Sequence, residues 1–95
     1  MAETLPNISI GQSWVDVNTE SGISVGTAFS LYNEGTGSIK LIEQSSEPSH
    51  NDTKGKILDP HRFPNSLAII PTGSLRIWAK AISTLGAELT PEVIV

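Results

Sequence analysis

The chain has 95 residues, no cysteine, and six lysines and arginines against ten aspartates and glutamates, for a formal net charge of −4. That length supports one modest hydrophobic core and not two. Without cysteine there is neither a disulfide framework nor a thiolate metal site, and so few cations argue against tracking a nucleic-acid backbone, where affinity grows with the phosphates neutralised.

Eight glycines and six prolines are spread along the chain, with no linker-like cluster. Punctuation of that kind favours short strands over long helices. The opening MAETLPNISI lacks the basic start and apolar core of a secretory signal, and no apolar run approaches the ~20 residues that span a bilayer. The expectation is synthesis in a cytoplasm, with neither membrane nor nucleic acid as partner. Residues 1–10 read as an N-terminal extension able to add a strand to a neighbour, and residues 11–95 as a single β-domain. Asn7 in NIS and Asn51 in NDT match the glycan-acceptor pattern, and without a signal sequence they are read as chance matches.

SWVDV puts Val15 and Val17 on one side of a short strand and Trp14 and Asp16 on the other, and TESG reads as the turn that follows. In ISVGTAFSLY, Ile23, Val25, Thr27, Phe29 and Leu31 alternate with Ser24, Gly26, Ala28, Ser30 and Tyr32, a period of two that marks a strand with its bulky side toward the core. NEGTG supplies Asn33, Gly35 and Gly37, residues that tolerate positive φ, and predicts a hairpin loop. The second arm, SIKLIEQ, sets Ile39 and Leu41 on the core face and Lys40, Ile42 and Gln44 on the other.

Residues 45–66 are polar and rich in proline, with Ile57 and Leu58 as a possible short strand. An irregular segment of that length in so small a domain is commonly functional or mobile. SLAII and SLRIWAKAI follow, separated by the PTG turn. Leu75, Ile77 and Ala79 alternate with Arg76, Trp78 and Lys80, so Trp78 lies between two cations whose stems can cover its ring. Within WAKAIST a helical turn is the one helical candidate. A turn at Gly86 leads to a last strand ending in Val93, Ile94 and Val95, with Pro91 expected at an edge or bulge. Six to seven short strands without a convincing helix predict an all-β fold, an antiparallel sandwich or small barrel.

Chemistry-bearing constellations are sparse. His50 and Asp52 are mirrored by Asp59 and His61, donors that zinc-like ions accept, yet they match no motif of fixed spacing, and neither metal nor cofactor is expected. No GxSxG turn or oxyanion loop accompanies the many serines, and no enzymatic activity is expected. Trp14, Tyr32, Phe63 and Trp78 exceed what a two-layer core of this size holds. Together with Arg76 and Lys80 they are the candidate partner-binding residues, since Trp and Tyr are preferred interface anchors. The competing reading is a second small core, or edge-on packing of these rings under the long loop.

An early Trp with Asp two residues on, a GI-x-VGT strand, an N-x-G loop, a Pro after the second arm and a late WA before the closing strand cover residues 13–82. In these features the chain resembles small β-rich virion proteins of tailed bacteriophages, of the capsid decoration and head-fibre kind. The resemblance implies a structural protein of the virion, present in many copies as a homo-oligomer, a trimer, bound to the major capsid protein or another virion protein. The alternative it leaves is a tail, neck or fibre component, a binding module stacking Trp78, Trp14 and the 45–66 loop against a host glycan.

Overall fold

The computed structural model describes residues 3–35, 37–49, 55–59, 66–82 and 87–93. Among the described residues, nine strand segments and one short helix follow in chain order: β1 (Glu3–Thr4), β2 (Ile8–Ile10), β3 (Val15–Asp16), α1 (Val17–Ser21), β4 (Phe29–Asn33), β5 (Ile39–Glu43), β6 (Lys56–Leu58), β7 (Leu67–Ile70), β8 (Ile77–Ala81) and β9 (Ala87–Val93). They form two antiparallel sheets, one ordered β1-β9-β4-β7 with β2 also paired to β9, the other ordered β3-β8-β5-β6. The fold is the expected small all-β sandwich.

β1 and β2 lie one after the other along the same side of β9, opposite Glu92–Val93 and Ala87–Leu89 respectively. They fill one edge position, so each sheet is four strands wide. Of the segment expected to extend from the domain, Glu3–Thr4 and Ile8–Ile10 pair with β9 of the same chain. Leu5 packs against the core, and burying Ile8 and Ile10 is what holds the segment in place. Pro91 lies inside β9, between β4 and the β1–β2 edge, where the sequence placed it at an edge or bulge. Its carbonyl accepts from the Leu5 amide, so its missing N–H faces the interruption between β1 and β2 and no ladder bond between full strands is lost.

Alternation assigns the faces. Phe29, Leu31, Ile39, Leu41, Leu58, Ala68, Ile70, Ile77, Ala79, Ala87 and Leu89 point between the sheets and join Ile8, Ile10, Val17 and Ile23 in one core. The strand predicted across residues 23–32 is shorter, because Gly26 adopts φ +95 and turns the chain before Phe29. Val25 is consequently 44 % exposed, and Leu75, also expected inside, is 51 % exposed ahead of β8. In WAKAIST, where a helical turn was expected, residues 78–81 lie in β8, and Ser83 and Thr84 lie outside the described residues.

The helix at Val17–Ser21 replaces the turn expected at TESG. Asp16 caps it, accepting from the Thr19 amide at 3.1 Å, and Gly22 closes it in the left-handed region at φ 78, the pairing of cap residues that favours a helix even at five residues. Buried Asn18 then ties it to its surroundings by donating to the Ile23 carbonyl and accepting from the Ile77 amide.

The predicted hairpin at NEGTG is overturned. β4 pairs with β7 and β9 in one sheet, whereas β5 pairs with β6 and β8 in the other, so the chain arches from one layer to the other between Asn33 and Ile39. Both flanking strands have one fully buried face, and placing them in opposite layers lets those faces meet across a shared core. Asn33 fixes the arch. Its side-chain amide donates to the Gly37 carbonyl at 3.0 Å and to the Leu58 carbonyl of the other sheet at 2.9 Å, while its carbonyl accepts from the Gly35 amide. Gly35 passes so close to β9 that a β-carbon there would lie 2.7 Å from Ala87 Cα and Glu88 N. Replacing Asn33 with alanine strands the Leu58 and Gly37 carbonyls in the interior, and chemical denaturation of Asn33→Ala should show a loss of about 2–4 kcal/mol.

Candidate interaction surface

The outer face of each sheet is where sequence reasoning placed the candidate residues, and the two faces turn out differently. On the β3-β8-β5-β6 sheet, Trp14, Trp78 and Ile42 form a separate buried cluster on the side away from the main core. Each indole is 8 % exposed. Residues 44–49 run over them: Trp14 Nε1 donates to the Ser49 carbonyl at 2.9 Å and Trp78 Nε1 to the Gln44 carbonyl at 3.0 Å. The Gln44 amide in turn bonds the Arg76 carbonyl, and Pro48 is buried. The expectation that these indoles stand free to grip a partner is corrected, and the second small core is what forms. An indole offers a large apolar area and one N–H, and a segment that supplies carbonyls for both rings satisfies each requirement within the same chain.

The flanking cations also serve the fold. Lys80 places its Nζ 5.0 Å from the centre of the Trp14 ring and not over Trp78, because Trp14 precedes the β3 residues that pair with Ala79 and Trp78. Arg76 turns to Asp16, with Nη1 2.6 Å from Oδ2 and 3.2 Å from Thr19 Oγ1. Burial pushes the Asp16 carboxyl up, but this is outweighed by the Thr19 hydroxyl and amide and by the Arg76 guanidinium, leaving it below its ordinary value. Its charged form thus stabilises the helix cap and the β8 end together.

On the other sheet, no described residue covers the outer face at Tyr32 and Ile69. Tyr32 is 37 % exposed and stands directly opposite Leu67 in the register, with Ser30 opposite Ile69; Ile69 is 59 % exposed. The three side chains form an apolar strip at the β7 side. Beside it lie Thr90 and Glu92, opposite Tyr32 and Ser30, and a carboxylate pair, Glu34 and Glu88, that share the Asn7 amide at 3.0 and 3.4 Å. Glu34 also accepts from the Thr90 hydroxyl. Tyr32 is thus the one expected interface aromatic that the described residues leave open. Phe63 lies outside the described residues. Leu67 and Ile69 were not singled out from the sequence, although the alternation in LAII, set against buried Ala68 and Ile70, would have placed them on one face.

A cleft of about 420 Å³ opens between the sheets at β6 and β7, with Leu41, Ala68, Ile70 and Ile77 among its walls and Glu43 and Lys56 at its rim. Of the proposed ligand set only Asp59 is among the described residues, and its carboxylate accepts from the Ser38 hydroxyl at 2.9 Å; His50, Asp52 and His61 lie outside them. Among the described residues no group of three His, Asp or Glu is placed to hold a metal.

No family model matches the chain, and neither a curated protein nor a solved structure matches it.

Tryptophan emission is the direct check on the covered indoles. Native protein should emit at the blue end of the indole range and resist acrylamide quenching, and Trp78→Ala should cost about 3–5 kcal/mol. Lowering the pH tests Asp16. A carboxyl depressed in the folded state contributes stability that is full above the unfolded value of about 3.9 and is lost as pH falls through the folded value. Asp16→Ala should lower stability at neutral pH by about 1 kcal/mol, and the deficit against the wild type should shrink below about pH 4.

Proposed function

We propose that this protein is a structural component of a bacteriophage particle, a capsid decoration protein that binds the shell in many copies and acts by contact and not by chemistry. The observation that carries the reading is the open strip of Tyr32, Leu67 and Ile69 on the flat outer face of the β1-β9-β4-β7 sheet. Aromatic and aliphatic side chains held on a rigid sheet lose little entropy on docking, and tyrosine is enriched among residues that dominate binding energy. The covered tryptophans add to this, since a self-contained second core leaves the outer strip to face a partner.

The resemblance of residues 13–82 to small virion proteins supplies the location, with the major capsid protein or another virion protein as partner and the virion as the site of action. A lattice that offers many equivalent sites multiplies a modest contact into stable coverage. The runner-up, a tail or fibre module, keeps the same strip as its contact. Its version with a host glycan stacked on Trp14 and Trp78 loses both rings to the cover of residues 44–49.

Cosedimentation with empty capsids tests the proposal. Bound protein should saturate at a fixed ratio to shell subunits, and Tyr32→Ala, whose fold is checked by circular dichroism, should weaken binding about tenfold. Protein that stays in the supernatant at every concentration overturns the decoration role.

A further inference from the structure

Among the described residues the two sheets end in β1–β2, β7, β3 and β6, and three of these edges are blunted. The β1–β2 edge is split into pieces of two and three residues. β3 has two residues and runs straight into α1, and β6 has three and carries Lys56. Short, interrupted or charged edges are the ordinary defence against pairing with another chain. β7 has none of these devices. Its four residues, LAII, include no charge and no proline, and they pair with β4 without a bulge, from Phe29 opposite Ile70 to Tyr32 opposite Leu67.

The ladder to β4 defines the other side of this strand. The Ser66 carbonyl accepts from the Asn33 amide at 2.9 Å, and successive residues of an antiparallel strand turn their backbone groups to opposite sides, so Ser66, Ala68 and Ile70 face β4. Leu67 and Ile69 therefore direct their N–H and C=O groups outward from the sheet edge, where no described residue bonds them. The cleft between the sheets comes up to the same edge, with Ala68, Ile69, Ile70 and Pro71 among its walls, so the space beside the strand is open.

We propose that β7 pairs antiparallel with β7 of a second copy of this chain, across a twofold axis at Ala68. One register satisfies the outward groups: Leu67 exchanges both backbone bonds with Ile69 of the second copy, Ile69 does the same with Leu67 of the second copy, and the two Ala68 residues meet between them. Pro71, the next residue on that side, has no N–H to extend the ladder. Absence of charge favours an identical partner. A twofold contact sets a strand against itself, so a charged edge would bring like charges together, whereas residues 66–72, SLAIIPT, carry none. On the outer face Leu67 then stands beside Ile69 of the second copy, and the two Tyr32 strips join into one. So short a ladder buries less than the roughly 800 Å² that each partner gives to a standard interface, which makes the dimer a concentration-dependent one. It is twofold where the resemblance implies a trimer, and it runs through backbone groups, so it stands apart from the capsid reading.

Sedimentation velocity and amide hydrogen exchange of the full chain, each over a range of concentrations, test the contact. The average mass should climb from the 10.1 kDa monomer toward twice that value and no further. Over the same range the Leu67 and Ile69 amides should pass from fast exchange to protection, while those of Ala68 and Ile70, bonded to β4, are protected throughout. Ile69→Pro removes an outward N–H without breaking a bond to β4 and should stay monomeric. Ile69→Thr keeps that N–H while losing the apolar side chain, and should still dimerise. Circular dichroism checks the fold of both, and should Ile69→Pro not fold, the exchange of the wild-type amides decides. A monomer at every concentration, a trimer, an oligomer whose Leu67 and Ile69 amides still exchange fast, or two folded variants that behave alike overturns the proposal. A chain that dimerises but ignores capsids removes only the virion role, and one that coats capsids as a monomer removes only this contact.

Discussion

The Asn33 amide connects three places at once: the arch that follows its own strand, the carbonyl of Gly37 within that arch, and the carbonyl of Leu58 in the opposite sheet. At 1 % exposure it has no water to fall back on, and a buried polar group of this kind is stabilising only while every partner is present. The amide holds the two layers in register where the chain leaves one for the other. Most of what is built on the sandwich presupposes that register, because among the described strands consecutive ones share a sheet only at β1–β2 and β5–β6. The core is consequently assembled from residues far apart in sequence, and ordering them carries the loop-closure cost that nonlocal pairing always carries.

From that arrangement the two outer faces acquire different fates. The β3-β8-β5-β6 sheet is overlaid at Trp14, Trp78 and Ile42 by the chain that continues from β5, which exchanges its Gln44 and Ser49 carbonyls for the two indole N–H groups. The β1-β9-β4-β7 sheet has no such covering among the described residues at Tyr32 and Ile69. A small domain has too little interior for all its apolar side chains. This one places two rings under its own backbone and leaves a third, with two aliphatic neighbours, on a flat acidic surface.

Much of the fold was legible from a period of two. Phe29 and Leu31, Ile39 and Leu41, and Ile77 and Ala79 all point inward as their alternation requires, and Ile42, Trp78 and Lys80 point outward. The small helix was also written in the chain: Asp16 ahead of VNTES and Gly22 behind it are cap residues at helical spacing, a signal hidden by reading TESG as a turn. The arch was not legible, because Asn33, Gly35 and Gly37 suit a hairpin loop and a crossing equally well. Only the location of the partner strands, thirty to sixty residues downstream in β7, β8 and β9, separates the two.

The same distinction governs the candidate surface. Sequence by itself determined which residues lie on the outward side of each strand, since side-chain direction is a local property of extended backbone. It also determined the lack of thiol chemistry and the acidic balance, which are matters of composition. Only the tertiary structure decided that Trp14 and Trp78 are covered and that Tyr32 joins Leu67 and Ile69. Covering and clustering depend on which distant segments meet, and that is set by how the two layers share a core, a property no stretch of local pattern contains.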